Sequence, residues 1–122
     1  MIRWPGFLFD EHLGPRWAAA LRGLEPGIEV HVVGHVGGPR AGTPDPDLLV
    51  WTEERGCFLV TLDRATLPEH LAAHLALGRH VPGVLLLPPR VGGWSPVLED
   101  VLLVWLAGRP EEFADRIRFL PL

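Results

Sequence analysis

Apolar residues in this chain come in short runs that stop at acids or at glycine and proline. Phe7-Leu8-Phe9 is such a run, ended by Asp10, and reads as a buried strand. Gly14-Pro15 then opens a helix, with proline suited to its first turn. Trp17, Ala18, Leu21 and Leu24 recur at helical spacing until Pro26-Gly27 closes it. Residues 28–33 are rich in β-branched side chains and partly alternate, which predicts a second strand. Residues 34–46 are full of glycine and proline and predict a loop, long for a connection between strand and helix. Either Thr43 or Asp45 is suited to cap the next helix, which carries Leu48, Leu49, Trp51 and Thr52 to a glycine stop at Gly56.

Cys57-Phe58-Leu59-Val60-Thr61-Leu62 is the next strand, and it too runs into an acid, Asp63. A helix over residues 68–77, a strand over 83–87 and a helix over 96–107 follow. The last helix has Leu98, Val101, Leu102 and Trp105 on its apolar face. Pro110 begins one more short turn, and residues 116–120 form an edge strand, where Pro121 is tolerated at the end. Strands alternating with helices predict an α/β fold: a three-layer α/β/α domain over residues 1–122, around a mostly parallel sheet of four to five strands. No internal repeat or low-complexity tract is present.

Ligands of such sheets gather at the carboxyl ends of the strands. Asp10 and Asp63 both stand at strand ends and therefore at one rim. Asp45 opens a helix whose preceding loop leaves the carboxyl end of the second strand, so it can reach the same rim. Any one of these acids alone is equally well a turn former or a helix cap. Three converging carboxylates repel unless a cation neutralises them, and hard oxygen ligands suit Mg²⁺ or Mn²⁺. Such metals bind phosphate oxygens and activate water.

Composition narrows the picture. A chain of 122 residues with one cysteine, Cys57, has no internal disulfide, and a zinc site built on cysteine is not expected. The start lacks a signal-peptide core, and the longest apolar stretches, near residues 81–89 and 101–107, fall short of the roughly 20 residues that span a bilayer. The cytoplasm is the default location. Net charge is −4, without the basic footprint usual in nucleic-acid binders. Every fixed cation is arginine, however, the better residue for gripping phosphate.

Phe7-Leu8-Phe9-Asp10-Glu11-His12-Leu13-Gly14-Pro15-Arg16 is similar to the "DE-x-L-x-P" opening of the DUF5615 family of PIN-like proteins. Val30-His31-Val32-Val33 resembles the family's second strand, and Gly42-Thr43-Pro44-Asp45 with Leu48-Leu49 resembles its "G-x-x-D-x-x-(I/L)-L" segment. The stretch from Gly56 to Asp63 resembles "G-x-x-(L/V)-V-T-x-D", and Pro82-Gly83-Val84 the start of the next strand. The resemblance implies a PIN-like nuclease: a Mg²⁺- or Mn²⁺-dependent ribonuclease, often the toxin half of a toxin–antitoxin pair. Its partners would be RNA and an antitoxin protein, with a homodimer as a further candidate. Asp10, Asp45 and Asp63 take the catalytic, metal-holding places by motif match. Glu11 sits beside the first, and Thr61 holds Asp63 through a hydroxyl hydrogen bond. The chain departs from the family where a second acid often follows the strand-end aspartate, because that position is Ala65. Asp47 and Glu69 are the substitutes at hand. A catalytically inactive PIN-like binding module is the alternative.

Arg16 and Arg64 flank the acids and suit substrate phosphate, or else ion pairs with those acids. His70 and His74 lie four apart on one helix, a zinc-capable spacing with no third ligand in frame; partly exposed helix histidines are the plainer reading. His12 and His35 sit near the rim, either as acid–base assistants or as surface histidines. Cys57 reads as a buried, inert thiol. Trp4 and Trp94 fall in loop-like sequence, where one suits a partner contact. A response-regulator-like phosphoacceptor also places aspartates at strand ends, but it needs a lysine and this chain has none.

Overall fold

The computed structural model describes residues 6–88 and 95–121. Trp4 and Trp94, and with them the expected partner contact, lie outside this range. In chain order the elements are β1 (Gly6–Phe9), α1 (Pro15–Leu24), β2 (Val30–Val32), α2 (Asp45–Arg55), β3 (Cys57–Thr61), α3 (Leu67–Ala76), β4 (Val84–Leu86), α4 (Ser95–Ala107), α5 (Pro110–Phe113) and β5 (Ile117–Phe119). The strands form one sheet in the order β2-β1-β3-β4-β5, and each pairing is parallel.

Both faces of the sheet are covered. Phe7, Phe9, Val30, Val32, Phe58, Val60 and Leu85 pack with Ala18 and Leu21 of α1 and with Leu98 and Val101 of α4. Leu8, Leu59 and Val84 point the other way, onto Leu48 and Leu49 of α2 and Leu67 and Leu71 of α3. This is why the strands read as continuous apolar runs rather than as alternation. Phe7 meets Phe58 edge to face at 5.6 Å, and Phe58 meets Phe113 at 5.4 Å. Each fully buried Phe or Leu stabilises the fold by about 1.5–3 kcal/mol.

The sheet supplies the geometry on which the site depends. From β1 the chain moves to one side to make β2, then returns past β1 to make β3. The point of reversal lies between β1 and β3, the place where sheets of this kind form a crevice at the carboxyl ends of their strands. Asp10 follows β1 and Asp63 lies just beyond β3, so both acids stand at this crevice.

Some local expectations need correction. β2 is confined to Val30–Val32; Ile28 and Val33 are buried but flank the strand. Neither Thr43 nor Asp45 caps α2. Pro44 holds that position without a side-chain bond, and the Thr43 hydroxyl donates to the carbonyl of Arg40 at 2.6 Å. His74 is buried rather than partly exposed. Its Nε2 faces the carbonyl of His80 at 3.1 Å and a carboxylate oxygen of Glu53 at 3.0 Å. Both partners accept, so this nitrogen carries a proton and is no metal ligand here. Among the described residues no helix is long and apolar enough to cross a membrane.

Candidate functional site

The rim at the β1–β3 crevice is organised by Thr61, the last residue of β3. Its side chain points to the α2–α3 side, as does that of Leu59 two residues earlier, and it is buried. Its hydroxyl donates to Oδ2 of Asp10 at 2.9 Å and accepts the backbone N–H of Asp63 at 3.1 Å. The expected Thr61–Asp63 link therefore runs through the backbone of Asp63, and the hydroxyl proton goes to Asp10. The other oxygen of Asp10, Oδ1, accepts the backbone N–H of His12 at 3.2 Å.

Asp63 is fixed by the turn that leads into α3. Its Oδ1 accepts the backbone N–H groups of Ala65 and Thr66 at 3.0 and 3.1 Å, and its Oδ2 accepts the Thr66 hydroxyl at 2.6 Å. The Thr66 hydroxyl and N–H are the main reason this carboxyl is held down to about 2; Asp45 and the Ala65 N–H add to the effect, against a smaller opposing effect of burial.

Asp45 arrives from the first turn of α2. Glu11, next to Asp10, accepts the backbone N–H of Gly42 at 3.2 Å and so ties the loop before α2 to the rim. Gly42 sits at φ 80°, a left-handed conformation that suits glycine. Half-buried Asp45 then lies against Asp63. Burial pushes its carboxyl up to about 6, reinforced by the hydrogen bond and charge of Asp63 and by the charge of Asp10; His70 pulls the other way. Asp63 therefore ionises well before Asp45, which holds its proton up to about pH 6. An all-oxygen donor set whose last carboxyl ionises late, held back by burial and by its anionic neighbours, suits a hard divalent cation.

The three acids are brought to one rim without closing into a tight cage. Among the described residues the only group with three ligand atoms all within 4.8 Å of one another is Glu29, His31 and Cys57, elsewhere on the sheet. Asp47 is exposed on the first turn of α2, and Glu69 is exposed on the first turn of α3. Arg16 is exposed on the first turn of α1. Arg64 leans towards the far side of the sheet, where its Nε donates to the carbonyl of Leu87 at 3.3 Å and its guanidinium lies over Phe119 at 5.3 Å. His12 and His35 are exposed. Sequence reasoning missed Thr66, and it read His70 as a zinc-spaced or partly exposed helix histidine without its link to Asp45. Thr66 was legible in principle, since an acid three residues before a threonine is a common turn pairing. That the charge of His70 reaches Asp45 depends on how α3 packs on α2.

A family model described as PIN like domain matches residues 5–81, more than half of the chain. The chain belongs to the PIN-like domain family. No curated protein and no solved structure matches it. The PIN-like match spans β1 to the end of α3, and so contains Asp10, Asp45, Asp63 and Thr61. The family gives the chain a nuclease-type fold.

Proposed function

We propose that this PIN-like domain is a metal-dependent ribonuclease that hydrolyses RNA phosphodiester bonds, with Asp10, Asp45 and Asp63 holding Mg²⁺ or Mn²⁺. The observation that carries the reading is the hydrogen-bonded pair Asp45–Asp63 set beside Asp10 at the switch point of the sheet. A hard divalent cation bound there would grip phosphate oxygens and lower the pKa of a water. The chain's own part is to present and orient the ligands. Thr61 and the His12 N–H aim Asp10, the turn at residues 63–66 aims Asp63, and Glu11 draws in the loop that carries Asp45. Arg16, exposed in the first turn of α1, is the phosphate contact of choice, because Arg64 is engaged with Leu87 and Phe119. The test is cleavage of a single-stranded RNA with Mn²⁺. Wild type should cut, Asp10→Asn and Asp63→Asn should not, and a variant that still cuts at the wild-type rate would sink the assignment.

A toxin role within a toxin–antitoxin pair, in the cytoplasm, extends this reading. Expression alone should then arrest growth, and the product of the neighbouring gene should relieve it. The second reading is an inactive PIN-like partner module. Two observations favour it: Ala65 stands where a further acid is common, and the three carboxylates do not close to within 4.8 Å. It predicts an intact fold with no cleavage and little affinity for Mn²⁺.

A further inference from the structure

A second set of ligating side chains lies at the opposite, amino edge of the sheet. Glu29 stands just before β2, His31 lies within β2 and Cys57 opens β3. Their ligand atoms all lie within 4.8 Å of one another. Oε2 of Glu29 accepts from Nε2 of His31 at 2.9 Å and from the Cys57 thiol at 3.3 Å. About 13 Å of strand separates Cys57 from Thr61 and the acidic rim.

β2 and β3 are not neighbours, because β1 runs between them. Their backbones are therefore roughly 9.5 Å apart, and a side chain from one must cross β1 to meet the other. It crosses over Gly6, the β1 residue paired with Cys57. A Cβ at Gly6 would lie 2.7 Å from the carbonyl oxygen and 2.8 Å from the Cβ of Glu29. The missing side chain is what lets Glu29 reach Cys57.

We propose that Glu29, His31 and Cys57 form a zinc-type divalent cation site, with its fourth position open to water. Thiolate, imidazole and carboxylate together are a donor set for Zn²⁺ and not for Mg²⁺. The site has the three protein ligands and the open side seen in solvent-accessible zinc centres. Cys57 is fully buried, the His31 side chain is 18% exposed and that of Glu29 is 51% exposed, so a cation enters past the glutamate. Binding replaces the two protons that Glu29 now accepts. The thiol loses its proton to solvent as the metal–sulfur bond forms, and the imidazole proton moves from Nε2 to Nδ1, leaving Nε2 to ligate. Arg55, stacked on Trp51 at 5.1 Å, is the cation whose charge reaches both Glu29 and Cys57, and the Trp51 and His31 rings meet nearly perpendicular at 5.3 Å. A nucleophilic role for the thiol fits poorly, since its proton points to the carboxylate and not to the imidazole.

The test is a Co²⁺ titration of the full chain, read by absorption. Wild type should give a thiolate-to-cobalt charge-transfer band and tetrahedral d–d bands, both displaced by Zn²⁺. The charge-transfer band should vanish in Cys57→Ser, and binding should weaken more than about tenfold in His31→Ala and Glu29→Gln. Circular dichroism checks that each variant is folded, and the partly exposed His31 and Glu29 keep the test available if Cys57→Ser is not. Asp10→Asn should leave the bands unchanged, which separates this site from the acidic rim. No charge-transfer band in wild type at millimolar Co²⁺, or a band that survives His31→Ala undiminished, would overturn the proposal.

Discussion

The hydroxyl of Thr61 donates to Oδ2 of Asp10 at 2.9 Å, and this one bond ties the end of β3 to the end of β1 across the crevice. The hydroxyl oxygen of Thr61 also accepts the Asp63 N–H. Thr61→Val keeps the shape, removes both bonds and takes this partner from both Oδ2 of Asp10 and the Asp63 N–H. It should cost about 1–2 kcal/mol in urea unfolding and weaken Mn²⁺ binding, whereas Thr61→Ser should stay near wild type in both. Equal Mn²⁺ affinity in the Val variant would show that Thr61 does not position Asp10.

Asp45 and Asp63 set opposite pH dependences. Asp63, held down to about 2, contributes stability above its unfolded pKa of 3.8 that is lost as pH falls towards 2. Asp45, raised to about 6, binds a proton more tightly folded than unfolded, so stability declines as pH rises from 3.8 to about 6. In chelator, Asp45→Asn should therefore be more stable than wild type at neutral pH, by on the order of 1 kcal/mol once solvent screening is allowed for. The gain should be absent at about pH 4. Urea unfolding at the two pH values decides it, and a variant less stable than wild type at both would refute the pairing.

Gly38 has a structural reason to be glycine, in a glycine-rich stretch that matches no phosphate-cradling motif. A Cβ there would run into the carbonyl oxygen of Val32, at the end of β2. Gly38→Ala should lower stability by about 1–3 kcal/mol. It should also loosen the loop that delivers Asp45, seen as faster amide exchange around Gly42. An unchanged melting temperature would contradict the clash.

Asp115 ties the segment before β4 to the approach of β5. It is a non-glycine residue at φ 61°, its Oδ1 accepts the Val81 N–H at 2.8 Å, and its Oδ2 meets Nδ1 of His80 at 2.8 Å. Burial opposes its charge, but the Val81 N–H and His80 outweigh that and hold its carboxyl below the usual range. Asp115 in turn raises the pKa of His80. The stabilisation from charged His80 is complete below its unfolded pKa and is lost as pH rises through its higher folded one. Asp115→Asn keeps an acceptor and tolerates the left-handed backbone, so it should match wild type at alkaline pH and fall behind at about pH 6. Asp115→Ala should lose about 1–2 kcal/mol at both. NMR titration of the His80 ring checks the link directly, by a lower midpoint in either variant.

Much of this was legible because the site lies where the pattern changes. An apolar run halted by an acid marks both Phe9-Asp10 and the end of β3 before Asp63, and the long glycine–proline loop before α2 flags the delivery of Asp45. The strand order was not legible, since runs buried on both faces carry no alternation to fix which strand lies beside which. The Glu11–Gly42 bond, the reach of the His70 charge to Asp45 and the burial of His74 against Glu53 each join residues from separate elements, and no local spacing encodes them. The Glu29–His31–Cys57 group is the extreme case. One cysteine in the sequence argues against a zinc site, and only the passage of Glu29 over Gly6 brings the three together.

The central claim is that the acidic rim holds a divalent cation, and calorimetric titration of Mn²⁺ tests it most directly. The titration is best run in a Cys57→Ala background, so that the thiol contributes nothing, and repeated with Asp63→Asn and Asp10→Asn. Saturable binding in the parent that is lost in both aspartate variants is the predicted result. No binding in the parent at millimolar Mn²⁺, or binding that survives both substitutions, would contradict a metal centre at Asp10, Asp45 and Asp63.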